Sequence, residues 1–394
     1  MLEGQPSPRD RLRDARRIVV KLGTHVVTHD GQEFALGRVF ALVEALGRLR
    51  RAGKDVVVVS SGAVGLGRRA LRLEQTQLSL GLRQACAAAG QGRLISLYAQ
   101  AFGQLDVKVA QVLLTSEDLA DPDRALCLRT TLLRLLELGA IPIINENDSV
   151  SVREIAELWL TETGEGRQPV FGENDGLAAR VAVTVDADLL LLLTDVDGVY
   201  TANPHRDPTA QRIPVLDGID DQALALAVGG STGGTGGMRT ELEAARLASE
   251  GGVDVLIVDG HRERLIERAL AADDIGTFIP SPERRRSRDR RILLAPSQGA
   301  LVINDGAIRA LVDRKASLLP IGVISVVGNF GTGSVIELRD ETGRARGRAL
   351  VNYDSAACRQ LTGRHSSEID TILGWRGYDA LVTRDNLILS EPDS

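Results

Sequence analysis

The chain is 394 residues long, 43% hydrophobic, 25% charged and 3% aromatic, with 47 basic against 53 acidic side chains and a formal net charge of −6. At about 150 residues per domain this suggests two or three domains, each able to bury a core, with no global basic field to draw it to nucleic acid or a membrane. The run 189–193 is too short to span a bilayer, the opening MLEGQPSPRDRLRDARR lacks the apolar stretch of a secretory signal, and Cys86, Cys127 and Cys358 suit neither a disulfide framework nor a zinc site, so the expected compartment is the cytoplasm.

After a polar lead-in at 1–16, short apolar runs at 18–22, 56–59, 107–114, 141–144, 189–193 and 253–258 alternate with helix-period stretches. At 39–51, Phe40, Val43, Leu46 and Leu49 recur every three residues while Arg48, Arg50 and Arg51 predict the outward face. Strands alternating with helices imply an α/β fold, an open and mostly parallel sheet sandwiched by helices, over residues 17–280. The wholly apolar 189–193 fits a central strand buried on both sides. Residues 150–171, with TETGEGRQP, are polar and poorly periodic and read as a long loop of the kind that forms lids. Pro280, Pro282 and the run Arg284, Arg285, Arg286, Arg288, Arg290, Arg291 mark a basic linker at 281–291. Beyond it, at 292–390, closely spaced segments such as ALVINDGAIRAL and SVVGNFGTGSVIEL predict a small β-rich domain, all-β or α+β.

GxxxxGK[ST], HRD, DFG and a strand-following GxGxxG are all absent. Glycine turns stand instead where strands should end: Lys21-Leu22-Gly23-Thr24, Ser60-Ser61-Gly62-Ala63, and a run from Gly229 to Met238 that leads into a helix at 240–250. Ligands of open α/β sheets lie beyond the carboxyl ends of the strands, where helix N-termini offer free N–H groups to anions. A lone glycine turn is usually plain loop geometry. Lys21 alone could be a snorkelling strand end, and the clusters Asn145–Asp148, Gly172–Asp175 and Thr194–Tyr200 could be turns or caps. Five such coincidences at five strand ends point to one composite phosphate site.

VVKLGT, VSSGAVGLG, IPIINENDSV, FGENDGLAA, LLLLLTDVDGVYTANP and GTGGMRTELEAA, in this order, resemble the glutamate 5-kinases of the amino acid kinase family. The tail, with ALVINDGAIRAL, SLLPIGV and GNFGTGSVI, resembles a PUA domain, and the likeness runs from about Arg17 to Leu389. LLTDVDGVYTANP alone marks only the wider family, which includes aspartate, acetylglutamate and uridylate kinases. The resemblance implies transfer of the ATP γ-phosphate to the side-chain carboxylate of L-glutamate, the first step of proline biosynthesis. A carboxylate is ionised at neutral pH, so this needs positioning and charge neutralisation rather than a general base.

By the same resemblance Lys21 and Asp175 are catalytic, with Lys21 bridging the β- and γ-phosphates and Asp175 orienting it or lying near magnesium. Ser61, Asp148 and Asn174 hold glutamate, Asp148 taking the ammonium. Gly23, Thr194, Asp195, Thr235, Gly236, Gly237, Met238, Arg239, Thr240 and Glu241 line the ATP pocket with Lys21. Mg²⁺ arrives with ATP, held mainly by phosphates and water. The expected partners are ATP, L-glutamate, proline as feedback inhibitor and further copies of the chain. The arginine run reads as a solvated linker face rather than an RNA-binding stripe, since Phe330, Tyr353, Trp375 and Tyr378 look too scattered for a stacking platform.

Two residues depart from the family pattern. His25 stands where a small hydroxyl residue is usual, and its spacing to His29 reads as chance rather than a metal pair. Glu241 stands where the pattern has a lysine. It reads either as a solvated first-turn carboxylate or as an anion placed against the phosphates. The second reading predicts weak turnover unless Arg239 or a metal supplies the missing charge. A catalytically impaired ligand-binding relative, or a kinase of this fold acting on another carboxylate, are the alternatives.

Overall fold

The computed structural model describes residues 7–29, 33–74, 78–150, 173–204, 206–226, 237–282, 292, 297–314, 316–375 and 377–389. The predicted loop at 151–171, the glycine run 229–236 with Thr235 and Gly236, and the arginine run 284–291 lie outside them.

Each apolar run yields a strand. The order is β1 (Arg17–Leu22), the short pair β2 (Thr28–His29) and β3 (Glu33–Phe34), β4 (Asp55–Ser60), β5 (Val109–Leu114), β6 (Ile141–Glu146), β7 (Leu189–Thr194), β8 (Asp254–Asp259) and β9 (Thr277–Ile279). Seven of these form one sheet in the order β5-β6-β4-β1-β7-β8-β9, parallel throughout except for β9, which pairs antiparallel with β8. β1 is the central strand, with Lys21 in register with Val59 on one side and Leu192 on the other.

The period of two in each strand divides the core. Ile18, Val20, Val56, Val58 and Leu191 face one layer of helices, which includes Leu36–Arg51 and Leu80–Gly103. Val19, Val57, Val59, Leu190 and Leu192 face the other, which includes Pro122–Glu137, Glu173–Thr184 and Met238–Glu250. In Leu36–Arg51 the buried stripe is Val39, Leu42, Val43 and Leu46, with the 3.6-residue spacing of a helix face. Phe40, expected on that stripe, is 45% exposed, because a strict three-residue period drifts off the buried face.

The lead-in is folded over 7–16. Pro8–Leu12 is a short helical turn capped by Ser7, and the buried Arg9 donates to the carbonyl oxygens of Pro214, Asp273, Ile275 and Gly276. No sequence pattern marks an arginine there as internal.

The chain divides into two compact units, Met1–Arg284 and Arg285–Ser394. The second holds β10 (Gly299–Ile303), β11 (Val323–Gly328), β12 (Val335–Arg339), β13 (Ala345–Leu350) and β14 (Leu387–Leu389), ordered β11-β10-β12-β13-β14. Only the β10/β12 pair is parallel. With helices Asp305–Asp313, Ser355–Leu361 and Ile369–Leu373, this is the α+β form of the expected small domain. Its aromatics are less scattered than the sequence suggests. Tyr353, buried, lies 5.6 Å from Trp375 and 6.2 Å from Tyr378 between ring centroids, so chain reversal gathers two aromatic residues around one core tyrosine. Among the described residues no helix is long and apolar enough to cross a membrane.

Candidate active site

Strand parity sets the site. Lys21 shares its face of β1 with Val19, toward the layer that holds helices Glu173–Thr184 and Met238–Glu250. It is the last inward residue of the strand on that face, so its ammonium emerges where both helices begin. There Lys21 Nζ lies 2.6 Å from Asp175 Oδ1, and both side chains are buried. Burial, the largest influence, would strip the proton from the lysine. The charge of Asp175, then that of Glu241, the hydrogen bond to Asp175 and the charge of Asp195 outweigh it and hold the pKa above its usual value. Lys21 is a fixed cation.

Asn174 and Asp175 belong to the first turn of Glu173–Thr184, so the segment read as a possible cap is the helix start itself. One residue before Asp175, the Asn174 amide donates from Nδ2 to Ser61 Oγ at 2.8 Å, while its Oδ1 is buried without a partner. Ser61 is held by its own N–H, which donates to the Leu22 carbonyl oxygen at 3.1 Å, and the next residue, Gly62, has φ of +104°. A side chain there would be strained, which explains glycine at this turn. Gly23 donates to the Leu193 carbonyl oxygen at 3.1 Å, and a Cβ on it would stand 3.5 Å from Lys21 Nζ. The glycine keeps the approach to the ammonium open.

Glu241 resolves one question the sequence leaves open. It is only 6% exposed, in the first turn of Met238–Glu250, so the solvated reading is wrong. Burial, followed by the charge of Asp175, pushes its carboxyl up to about 7, while Lys21 and the Thr194 hydroxyl pull it down and Asp195 adds to the rise. Thr194 ends β7, and its hydroxyl stands 3.2 Å from Asp195 Oδ1. Glu241 Oε2 is buried without a hydrogen-bond partner. Arg239 does not compensate: it is 52% exposed and donates from Nε to Glu243 Oε1 at 3.1 Å, on the outer side of the helix.

The structure therefore joins Lys21, Asp175, Glu241, Thr194 and Asp195 in one group and Ser61 with Asn174 in another, the two groups linked by adjacent residues. Gly237 and Thr240 form the cap of the second helix, where the Thr240 hydroxyl donates to the Gly237 carbonyl oxygen at 2.8 Å. Met238 packs on the core of that face. Asp148 is half-buried in the turn after β6, at the same carboxyl edge two strands from β1, where Val150 N–H donates to the Asn147 carbonyl oxygen. His25 lies in the short helix Thr24–Val27 that follows Gly23.

Sequence reasoning missed the support beneath the Ser61 turn. Helix Ala63–Ala70 crosses Leu80–Gly103 so closely that a Cβ on Gly67 would lie 1.7 Å from the Cys86 carbonyl oxygen, and one on Gly90 1.8 Å from that of Ala63. Gly65 and Gly67 in one helix, and the small residues of ACAAAGQG in the other, were the available signal. Ser60 Oγ is bonded to the buried Tyr98 hydroxyl at 2.8 Å, and Asn145 Nδ2 donates to Gln91 Oε1 at 3.0 Å, so the long helix braces two strand ends.

Two helices begin beside the buried ammonium beyond the strand ends, and their N–H groups and its charge can receive an anion such as phosphate. The amide and hydroxyl beside it suit a second, carboxylate-bearing ligand. This is the arrangement of a phosphotransferase, and the chain belongs to the amino acid kinase family, whose model matches residues 16–259, while residues 299–373 match the PUA domain. It is 44% identical over 381 residues to the glutamate 5-kinase of Moorella thermoacetica, covering 96% of this chain and 97% of that protein. To the glutamate 5-kinase of Synechococcus sp. (strain JA-2-3B'a(2-13)) it is 44% identical over 378 residues, 94% and 98% of the two chains. To that of Carboxydothermus hydrogenoformans it is 39% identical over 385 residues, 97% and 99%.

Proposed function

We propose that the protein transfers the γ-phosphoryl group of ATP to the side-chain carboxylate of L-glutamate, giving L-glutamyl 5-phosphate and ADP. The observation that carries this reading is the buried Lys21–Asp175 pair one residue from the Asn174–Ser61 bond, which sets a phosphate cation beside an amide and a hydroxyl. The near full-length likeness to glutamate 5-kinases supports the choice of substrate.

One carboxylate oxygen attacks the γ-phosphorus, the bond to the β-phosphate oxygen breaks, and ADP leaves with the electron pair. The nucleophile is already ionised, so no side chain has to remove a proton. Two anions must nevertheless be brought together. Lys21, kept charged by Asp175, lies against the β- and γ-phosphate oxygens and stabilises charge on the transferring group. The N–H groups at the start of Glu173–Thr184 and of Met238–Glu250 add their positive ends. Ser61 and Asn174 hold glutamate, with Asp148 on its ammonium. Gly23, Thr194 and Asp195, with Thr235 to Met238, line the nucleotide.

Mg²⁺ is the metal expected with ATP, and when bound it would supply positive charge to the phosphates. The donors fit it: Glu241 offers an unpartnered carboxylate oxygen at the phosphate end, and Asp195 lies across the Thr194 hydroxyl from it. The same reading carries proline as feedback inhibitor, a homo-oligomer and a cytoplasmic place in proline synthesis. A coupled ADP-release assay tests the proposal. Release with glutamate and not with aspartate or acetylglutamate is expected, and release with another acceptor alone would replace it. The burial of Glu241 beside Lys21 favours one alternative, a relative that binds glutamate without turnover; calorimetric glutamate binding with no ADP formed is its signature.

A further inference from the structure

The inference rests on the kinase reading and concerns how its phosphate site is neutralised. Within the group formed by Lys21, Asp175, Asp195 and Glu241, one ammonium stands against three carboxylates. The ammonium is already engaged, since Asp175 lies 2.6 Å from it. Arg239, the nearest cation in sequence, is turned outward onto Glu243. A nucleotide entering without a metal would bring its own negative charge to a pocket that already holds an excess of it.

Glu241 also carries an unmet bonding demand. Its side chain is buried near the Thr194 hydroxyl, and Oε2 has no hydrogen-bond partner. A buried carboxylate oxygen without a partner forgoes its hydration for nothing in return, so such an atom calls for explanation. Among the described residues no group of three or more acidic, histidine or cysteine side chains is arranged to hold a metal ion, so these residues form no preformed cage. Mg²⁺ does not require one. It is usually held by one or two carboxylates, with substrate phosphates and water completing the octahedron.

We infer that Glu241 Oε2 is a direct ligand of the divalent cation that enters with the nucleotide, so that this site admits the metal–nucleotide complex and rejects the free nucleotide. Glu241 thereby sets the metal dependence of binding, and the cation adds positive charge to a group in which Lys21 alone carries it.

The test is a binding cycle on the full chain, read by calorimetry with β,γ-imido ATP and no glutamate, in Mg²⁺ or in EDTA. The parent should bind the magnesium complex and lose it in EDTA. In Glu241→Gln the magnesium complex should weaken by about tenfold or more, the loss expected when a group supporting a metal is removed. The metal-free analogue should bind about tenfold more tightly than to the parent, because a like charge is gone. Glu241→Lys should bind the metal-free form more tightly still. An equal ratio of the two affinities in parent and Glu241→Gln would overturn the inference while leaving the kinase reading intact. Failure of the parent to bind the analogue in either condition would overturn both. A second measurement needs no variant: the exchange-inert tetraammine cobalt(III) complex of ATP cannot accept a protein ligand at the ammine positions. The parent should bind it about tenfold or more weakly than the magnesium complex. Equal binding would show that Glu241 acts on the cation only through space and would overturn direct ligation.

Discussion

Replacing Glu241 by glutamine keeps the shape of the side chain and removes its charge, and the structure sets the size and sign of the effect. The carboxyl ordinarily titrates near 4.5 and is pushed to about 7 in the folded chain, chiefly by burial and then by Asp175. The folded state therefore holds a proton that the unfolded chain has released between these two values. Where the native state binds the extra proton, stability falls as pH rises. A difference of about 2.5 units, at about 1.4 kcal/mol each, is roughly 3 kcal/mol lost between pH 4.5 and pH 7. Lys21 is paired with Asp175 at 2.6 Å, so the variant should strand no ammonium. Glu241→Gln should thus match the parent near pH 4.5 and exceed it at pH 8, by several degrees in Tm at about 2–4 °C per kcal/mol. Differential scanning calorimetry in EDTA, following the transition of the first unit from pH 4.5 to 8, measures this. Parallel curves with a constant offset would show instead that the buried carboxyl does not titrate in this range.

Lys21→Met should lower kcat by about a hundred- to thousandfold while costing about 3–5 kcal/mol of stability, since two buried carboxylates lose their cation; adding Asp175→Asn should recover stability in urea titrations without recovering turnover. Gly90→Ala, with its Cβ driven against the Ala63 carbonyl oxygen, should cost on the order of 1–3 kcal/mol and raise KM for glutamate through the Ser61 turn, as denaturation and steady-state kinetics would show. Asp148→Ala should weaken glutamate by about 2–5 kcal/mol and ATP hardly at all by calorimetry, the pattern of losing one partner of a desolvated charge pair.

Much of the first unit was legible because a parallel strand buried on both faces leaves a plain signature. IVVKL, DVVVVS and LLLLLT contain no outward-facing polar alternation, and each became a strand of the central sheet. The charged residue inside the first of them pointed to Lys21. What the strands could not reveal was parity across the gap to another segment. That Asp175 and Glu241 both meet Lys21 follows from two helices starting over the same face of β1, a relation between residues more than 150 positions apart. For the same reason GGMRTELEAA could not say whether Glu241 is solvated or buried. Arg9 illustrates a second limit: its partners are backbone carbonyl oxygens, which carry no sequence signature. The gathering of Trp375 and Tyr378 around Tyr353 was hidden because chain reversal, and no local spacing, creates it.

In the proposed reaction the carboxylate of glutamate becomes an acyl phosphate at this site. An acyl phosphate is trapped by hydroxylamine as a stable hydroxamate, so the most direct measurement is to incubate the full chain with Mg²⁺, ATP, glutamate and hydroxylamine and to quantify the γ-glutamyl hydroxamate. The expected result is hydroxamate formed in step with ADP, dependent on Lys21 and absent when aspartate replaces glutamate. ADP without hydroxamate, or hydroxamate undiminished in Lys21→Met, would contradict it.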